Sequence, residues 1–425
     1  KGLTPAHFAA SEGHPGVIRA LAECGAKKSL SAPCLGGSTP LHRACIQGFD
    51  SVVEALYACG VKKLTVGDTR GNTPLHGACL NGNAATLRLL CRLGARPAVS
   101  QPNVDGTQPM HLAAHGGHTD CMLLLHEMDA DMSARNGQGH TPSICAASYG
   151  HAAAVRLLHD MGADIGAAAR GTGWTGAHMA AQNGHVSVLR LLGELGFVST
   201  LSQVNSEDHG MTPAHGAAGN HRPEVIKVLH EFGAVIDAPS RDTGRNPAHL
   251  AGLKGDTETL AMLVKCEAGA SLLDPDVLGT SAVEYACDGG RKDWLQQRLN
   301  GEWKDYPWAA EAVQRVEALI ARGDIAPATA TAAERKRLLV LQLQDKIRLE
   351  QQKLLADHSR ARSEELAKPA GWRWSVLVCA LCGVNDAAST AKFKRCSACR
   401  AAAYCSKACQ LAHWRQHKRV CAKPK

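Results

Sequence analysis

One short pattern recurs through the first two-thirds of this 425-residue chain, and it limits the fold more than any other feature. Its anchor is a threonine or an equivalent residue at Thr4, Thr39, Thr73, Gln108, Thr141, Thr175, Thr212, Asn246 and Thr280, at intervals of 33 to 37 residues. A unit of that length cannot bury its own apolar face. Its stability must come from stacking against neighbours, so residues 1–290 are expected to form a solenoid rather than a globule.

Each unit also reads as local structure. Threonine is an effective N-cap, and proline at the first helical position gives up an N–H that has no partner there anyway. A short Ala-rich helix follows, as at Ala9-Ala10 and Ala113-Ala114. Glycines such as Gly13, Gly48, Gly117, Gly150 and Gly184 then end it. A second helix carries an apolar stripe, for example Val155-Arg156-Leu157-Leu158 or Val225-Ile226-Lys227-Val228-Leu229. A Gly-Ala or Gly-Phe step closes the unit at Gly25, Gly94, Gly162, Gly196 and Gly233.

The period, with Thr4-Pro5-Ala6-His7, Thr39-Pro40-Leu41-His42, Thr73-Pro74-Leu75-His76 and Thr212-Pro213-Ala214-His215, resembles the ankyrin repeat. The resemblance implies a mostly α fold, an ankyrin-repeat α-solenoid of about nine repeats over residues 1–290. The last unit (Thr280-Ser281-Ala282-Val283) has lost both Pro and His, as expected of a capping repeat. The chain opens at Lys1-Gly2-Leu3-Thr4 with no Met and no turn before it, as a truncated N-terminus would.

Several features inside the repeats invite chemistry and are better explained structurally. His7, His42, His76, His111, His178, His215 and His249 each hold the same place in their own unit, so they form a ladder rather than a metal cluster. Gly171-x-Gly173-x-x-Gly176 matches a dinucleotide fingerprint by letter. It lies at the repeat's turn, outside any βαβ context, and Gly176 stands where other units place Pro. The ten cysteines of this region are scattered singly and read as small core residues.

Residues 291–370 have a different composition. Trp294, Trp303, Tyr306 and Trp308 fall within fifteen residues and suggest a lid on the end of the stack. Val313, Val316, Leu319 and Ile320 suggest an amphipathic helix ending near Gly323. Thr331-x-x-Glu334 reads as a capping box opening a long helix to about Ala367, whose apolar residues hold no clean heptad. Lys368-Pro369-Ala370-Gly371 marks a boundary before a third domain at 371–425.

That last segment runs Cys379-x-x-Cys382, Cys396-x-x-Cys399, Cys405-x-x-x-Cys409, then His417-x-x-x-Cys421. Seven cysteines and one histidine make eight potential ligands, the number that two tetrahedral zinc ions need. A fragment this small cannot bury enough apolar surface to fold alone, so metal binding would supply its folding free energy. Catalytic zinc would need an open coordination position, which eight protein ligands would close. His413 and His417 are four residues apart and share a helix face, so spacing does not choose between them.

The run from Tyr404 to Cys421, with the two preceding Cys-x-x-Cys pairs, resembles the MYND zinc finger over about residues 376–421. The resemblance implies interleaved structural sites: Cys379, Cys382, Cys405 and Cys409 on one Zn2+, and Cys396, Cys399, His417 and Cys421 on the other. It leaves His413 to packing or to support of a ligand. It also implies binding of short proline-containing peptides, with Gln410 and Trp414 matching residues the family uses in its peptide groove. The thirteen residues between Cys382 and Cys396 are toward the long side for the family.

The chain's formal charge of +8 is uneven: residues 368–425 hold twelve Lys/Arg against one Asp. Seven thiolates and two zinc ions would bring that segment's net charge down to about +8. It has no interleaved aromatic stacking surface and no recognition-helix pattern, which argues against nucleic acid. No apolar run approaches the roughly 20 residues a membrane span needs. Unpaired cysteines and thiolate zinc sites fit a reducing compartment, cytosol or nucleus.

No nucleophile elbow, phosphate loop, metalloprotease helix or catalytic carboxylate pair appears. The sequence therefore points to a non-enzymatic protein–protein interaction adaptor. The repeats would hold one partner on their concave face and the finger would hold a peptide of another. Arg70, Asn72, His140, Trp174 and Arg245, at repeat turns, are candidate contacts. The alternatives are a ubiquitin-ligase component, disfavoured because a RING places its histidine mid-series, and a nucleic-acid-associated transcriptional regulator. A purely structural scaffold is the third class.

Overall fold

Eight of the nine anchors of the sequence pattern, from Thr4 to Asn246, are the N-caps of short helices. The computed structural model describes residues 2–205, 209–322 and the strands Lys394–Arg395 and Ala403–Tyr404. The chain divides into two units, Lys1–Leu339 and Val340–Lys425.

In the first unit, helices begin at Pro5, Pro40, Pro74, Pro109, Pro142, Gly176, Pro213, Pro247 and Ala282, and each is followed by a second helix of seven to nine residues, the ninth by Lys292–Asn300. Successive first helices pack on one another, as do successive second helices, so every layer's apolar face is covered by the next repeat. The fifth residue of every first helix is alanine, from Ala9 and Ala44 to Ala251 and Ala286, and all are buried. A methyl group there lets adjacent helices approach closely. In the second helices the fourth residue forms the apolar seam, with Ile18, Val53, Leu87, Met122 and Leu189 fully buried.

The alanine rule corrects one expectation. The anchor of the ninth unit is Ser281, not Thr280: Ser281 is the N-cap of Ala282–Ala286, and only that register puts an alanine, Ala286, fifth. Glu284 takes the place of histidine, and its Oε2 accepts from the Ser281 N–H at 2.6 Å. The result is a Ser-x-x-Glu capping box, which needs neither Pro nor His.

The cysteines are also less uniform than expected. Cys45, Cys79, Cys121, Cys266 and Cys287 are buried, but Cys24 is exposed and Cys34, Cys59, Cys91 and Cys145 are half-buried. All ten are unpaired.

The aromatic residues after the repeats do form a cap. Trp303 is buried, 5.5 Å from the Trp294 ring and 5.8 Å from Trp308. Trp308 lies over Gly269, where a Cβ would come within 2.6 Å of the indole, so only glycine leaves room for it. The helix Ala309–Arg322 spans the predicted amphipathic stretch, and Arg315 ties it back by donating to the Leu273 carbonyl at 2.7 Å. The predicted helix from Thr331 and Glu334 to Ala367 lies outside the described residues.

In the second unit, Lys394–Arg395 and Ala403–Tyr404 pair antiparallel, with Lys394 opposite Tyr404 and Arg395 opposite Ala403. No described helix is long and apolar enough to cross a membrane.

Candidate interaction surface

Between one repeat's second helix and the next repeat's first, the chain folds into a tight turn. The Asp68 turn is typical: the Asp68 N–H donates to Asn72 O, and the Gly71 N–H returns to Asp68 O, each at 2.9 Å. Asp68 Oδ1 accepts from the N–H groups of Arg70 and Asn72. Asn103, Asn136 and Asp276 build the same arrangement in their own repeats. These short polar side chains take up N–H groups that a tight turn would otherwise leave unpaired.

Adjacent turns are then joined edge to edge. The Thr69 N–H donates to Gly36 O at 3.1 Å, Val104 N–H to Arg70 O at 2.9 Å, and Gly137 N–H to Asp105 O at 2.7 Å. The approach is close enough to exclude side chains: a Cβ on Gly37 would stand 2.5 Å from Thr69 N. The tips still point outward. Leu35 is 80 % exposed and Val104 is 76 % exposed, and the exposed Arg70 pairs with Asp105 at 3.2 Å. An exposed ion pair of this kind adds about 1 kcal/mol at most, so it is a surface feature more than a brace. At the opposite, C-terminal ends of first helices, Tyr149 and Leu80 are exposed, with the Tyr149 ring 3.8 Å from that of His115.

The histidine ladder has a definite bonding pattern. In each case Nδ1 accepts the N-cap N–H, as from Thr39 to His42 at 3.1 Å. An amide N–H can only donate, so the ring's proton is on Nε2. That proton goes to the carbonyl just before the next N-cap: His42 to Asn72 at 2.9 Å, His76 to Thr107 at 3.1 Å and His215 to Arg245 at 2.8 Å. Burial lowers the pKa of His42, His76, His111 and His249, and that of His178 and His215 to about 4. With both nitrogens committed to backbone, they are structural cross-links and not metal ligands.

A second ladder runs the opposite way and was not singled out in the sequence. His118, His151 and His185, each just before a second helix, donate from Nε2 to Leu80, His115 and Ser148 of the preceding repeat, at 3.0, 2.9 and 2.9 Å. Asn83 does the same to Ile46 at 2.9 Å. The recurrence of His after Gly at Gly117-His118, Gly150-His151 and Gly184-His185 was the available signal.

The five turn residues proposed from the sequence do not share one environment. Arg70 is on the exposed edge. Asn72 is half-buried, donates to Asp68, and accepts from Asn103 Nδ2 at 2.8 Å. His140 is half-buried, its pKa lowered by burial, and its carbonyl receives the His111 ring. Trp174 is half-buried, 5.6 Å from the His178 ring.

Arg245 turns inward. Its Nε donates to Asp276 Oδ2 at 3.1 Å and its Nη2 to Tyr285 Oη at 3.0 Å, while Tyr285 donates to the same Asp276 oxygen at 2.7 Å. Burial alone would raise the Asp276 pKa. Hydrogen bonds from Tyr285, the Thr280 N–H and Arg245 outweigh it and hold the carboxyl below its ordinary value.

The predicted ligands Cys379, Cys382, Cys396, Cys399, Cys405, Cys409, His417 and Cys421, and the groove residues Gln410 and Trp414, lie outside the described residues. The described strand pair ends immediately before Cys396 on one side and Cys405 on the other. Seven thiols and an imidazole form a soft donor set that suits zinc.

A repeated helix pair, cross-linked by histidines in the third position of the first helices and edged by linked turns, defines an ankyrin-type solenoid. Comparison with known families agrees: ankyrin repeats match over residues 1–66, 54–136, 75–169 and 146–240, and the chain belongs to that family. A MYND finger matches residues 379–421. Both are protein–protein interaction modules that are generally non-catalytic, and MYND fingers bind zinc. No curated protein matches the chain. The same geometry continues past residue 240, since His249 reaches Thr280 O at 3.1 Å as its counterparts do.

Proposed function

We propose that this chain is a non-enzymatic adaptor acting in the cytosol or nucleus, with the repeats holding one protein and the finger a short proline-containing peptide of another. The observation that carries the reading is the row of turns. Backbone bonds from Thr69 to Gly36 and from Val104 to Arg70 fix its shape, yet Leu35 and Val104 remain 80 % and 76 % exposed. A rigid edge carrying exposed apolar and charged groups binds without a large ordering cost.

Zinc in the finger would be structural and number two ions. Cys379, Cys382, Cys405 and Cys409 would hold one, and Cys396, Cys399, His417 and Cys421 the other. When bound, the metal supplies folding free energy, not a reaction. The ten unpaired cysteines in the repeats support the reducing compartment.

The test uses the full chain as bait in a cell extract with zinc present, beside a Leu35→Asp/Val104→Asp variant and a Cys396→Ser variant. An adaptor loses different partners in the two variants. If the Cys396→Ser bait keeps every partner, the finger is structural and the bridging role is wrong.

A further inference from the structure

One position in each of the first five repeats carries charge in a definite order. The second helix of each is followed by a residue of positive φ, at Gly25, Gly60, Gly94, Asp129 and Gly162. Two residues further on stand Lys27, Lys62, Arg96, Asp131 and Asp164, all exposed. The row is therefore basic over three repeats and acidic over the next two. Lys28 and Lys63, also exposed, double the charge in the first two. The surrounding chain divides in the same way, with eleven Lys/Arg against five Asp/Glu in residues 1–100 and three against seven in residues 101–170.

Most of this charge has no counter-charge within the stack. Arg96 pairs with Asp129 at 3.3 Å. Lys27, Lys28, Lys62 and Lys63 form no ion pair among the described residues, and Lys62 Nζ lies 3.3 Å from the centre of the Tyr57 ring. Asp131 Oδ1 accepts from the N–H and hydroxyl of Ser133 at 2.8 and 2.7 Å, and Asp164 Oδ1 from the Gly166 N–H at 3.0 Å. No described donor reaches the Oδ2 of either. Both aspartates border an open cleft of about 520 Å³. Arg135 and Arg170 border it too, but Arg135 Nη1 is committed to the carbonyls of Gly139 and Ala168, at 2.9 and 2.6 Å, and neither arginine pairs with a carboxylate among the described residues.

We infer that this row joins two copies of the chain, antiparallel about a two-fold axis at Arg96. A two-fold interface must be complementary to itself, since residue i meets j and j meets i. Three positive positions followed by two negative ones meet that condition. Lys27 of one copy faces Asp164 of the other and Lys62 faces Asp131, which gives four contacts of opposite sign. The two Arg96 side chains meet at the axis, each already paired with its own Asp129. An axis shifted by half a repeat would set Lys27 against the exposed Val198 and leave its charge uncompensated. A nucleic acid or an anionic membrane would suit an all-basic row, but the aspartates would repel it. Exposed ion pairs are individually weak and screened by salt, so the dimer is reversible.

The test is sedimentation equilibrium of the full chain with zinc present. The original chain should show a monomer–dimer equilibrium that weakens as salt rises from about 0.05 M to about 0.5 M. Lys27→Glu/Lys62→Glu and Asp131→Lys/Asp164→Lys should each raise the dissociation constant about tenfold or more, because like charges then face each other. Mixed together, the two variants should associate again, since every contact regains opposite signs. The lysines make no side-chain hydrogen bond among the described residues, so their variant keeps the fold and tests the inference by itself. A chain that stays monomeric at low salt would overturn it. So would a dimer that Lys27→Glu leaves unchanged, or a mixture that does not recover although both variants melt as the original does.

Discussion

The imidazole of His178 donates from Nε2 to the Met211 carbonyl, 3.1 Å away, and accepts the Thr175 N–H on Nδ1 at 3.2 Å. One neutral ring thus caps its own helix and fastens it to the turn that opens the next repeat. Protonating Nδ1 would destroy the cap. In the folded chain His178 and His215 titrate near 4, against about 6.5 for an unperturbed histidine. The unfolded chain therefore binds more protons between those values, and stability falls as pH drops from about 6.5 toward 4. The two rings together account for several kcal/mol of this loss, on the order of 3 kcal/mol each by the lower limit. Urea midpoints at pH 7.5 and 5 should differ clearly. His178→Gln should lower the midpoint at pH 7.5 but shrink the difference between the two. An unchanged difference would reject the assignment.

Glu267 has φ 64° at the step where Gly25, Gly162 and Gly233 close their own repeats, and it is exposed. A side chain in the left-handed region costs about 1 kcal/mol or more, partly offset by the greater freedom of glycine in the unfolded chain. Glu267→Gly should raise stability by roughly 0.5 to 1 kcal/mol. His221, φ 58°, occupies another such position but has its Nδ1 3.2 Å from Asp256 Oδ2, so His221→Gly should gain less. Chemical denaturation of both variants would reveal the ordering, and a loss in Glu267→Gly would refute it.

Gln108 replaces the N-cap threonine of the fourth repeat, and its buried Oε1 has no hydrogen-bond partner among the described residues. At Thr73 the hydroxyl lies 2.9 Å from the His76 ring nitrogen. Gln108→Thr should therefore stabilise the chain by about 1 kcal/mol, the cost of one unmet buried group. A thermal melt showing no gain would mean the amide oxygen is already satisfied.

Asp276 has a fully buried side chain that joins Arg245, Tyr285 and two turn amides. Asp276→Ala would leave the guanidinium half-buried without its charge partner, at a cost of about 3 kcal/mol or more. Because repeats are coupled mainly to their neighbours, the loss should be local. Hydrogen exchange should accelerate over residues 247–299 and much less over residues 40–127. Uniform acceleration would show that the stack unfolds as one unit.

For the finger, metal analysis of the purified chain should find two zinc ions. Trp414→Ala should weaken capture of proline-containing peptides while zinc content is unchanged. Loss of zinc together with peptide binding would make Trp414 structural.

The periodicity made most of the fold legible, because helix caps, proline and alanine act within a few residues of themselves. The Trp cap and the helix at 309–322 were legible for the same reason, as aromatic content and an apolar stripe. The ninth anchor was misplaced by one residue because Thr280 and Ser281 are both acceptable caps, and only the packing of Ala286 decides between them. At the turns, position in the unit could not show that Arg70 faces solvent while Arg245 is drawn inward by Asp276 and Tyr285, partners 31 and 40 residues away. The sequence by itself determined the repeat, its helices and the eight-ligand pattern of the finger, since these depend on residue type at fixed short spacing. Tertiary structure alone decided which carbonyl each histidine reaches and which turn side chains remain outside, because those depend on atoms a whole repeat apart.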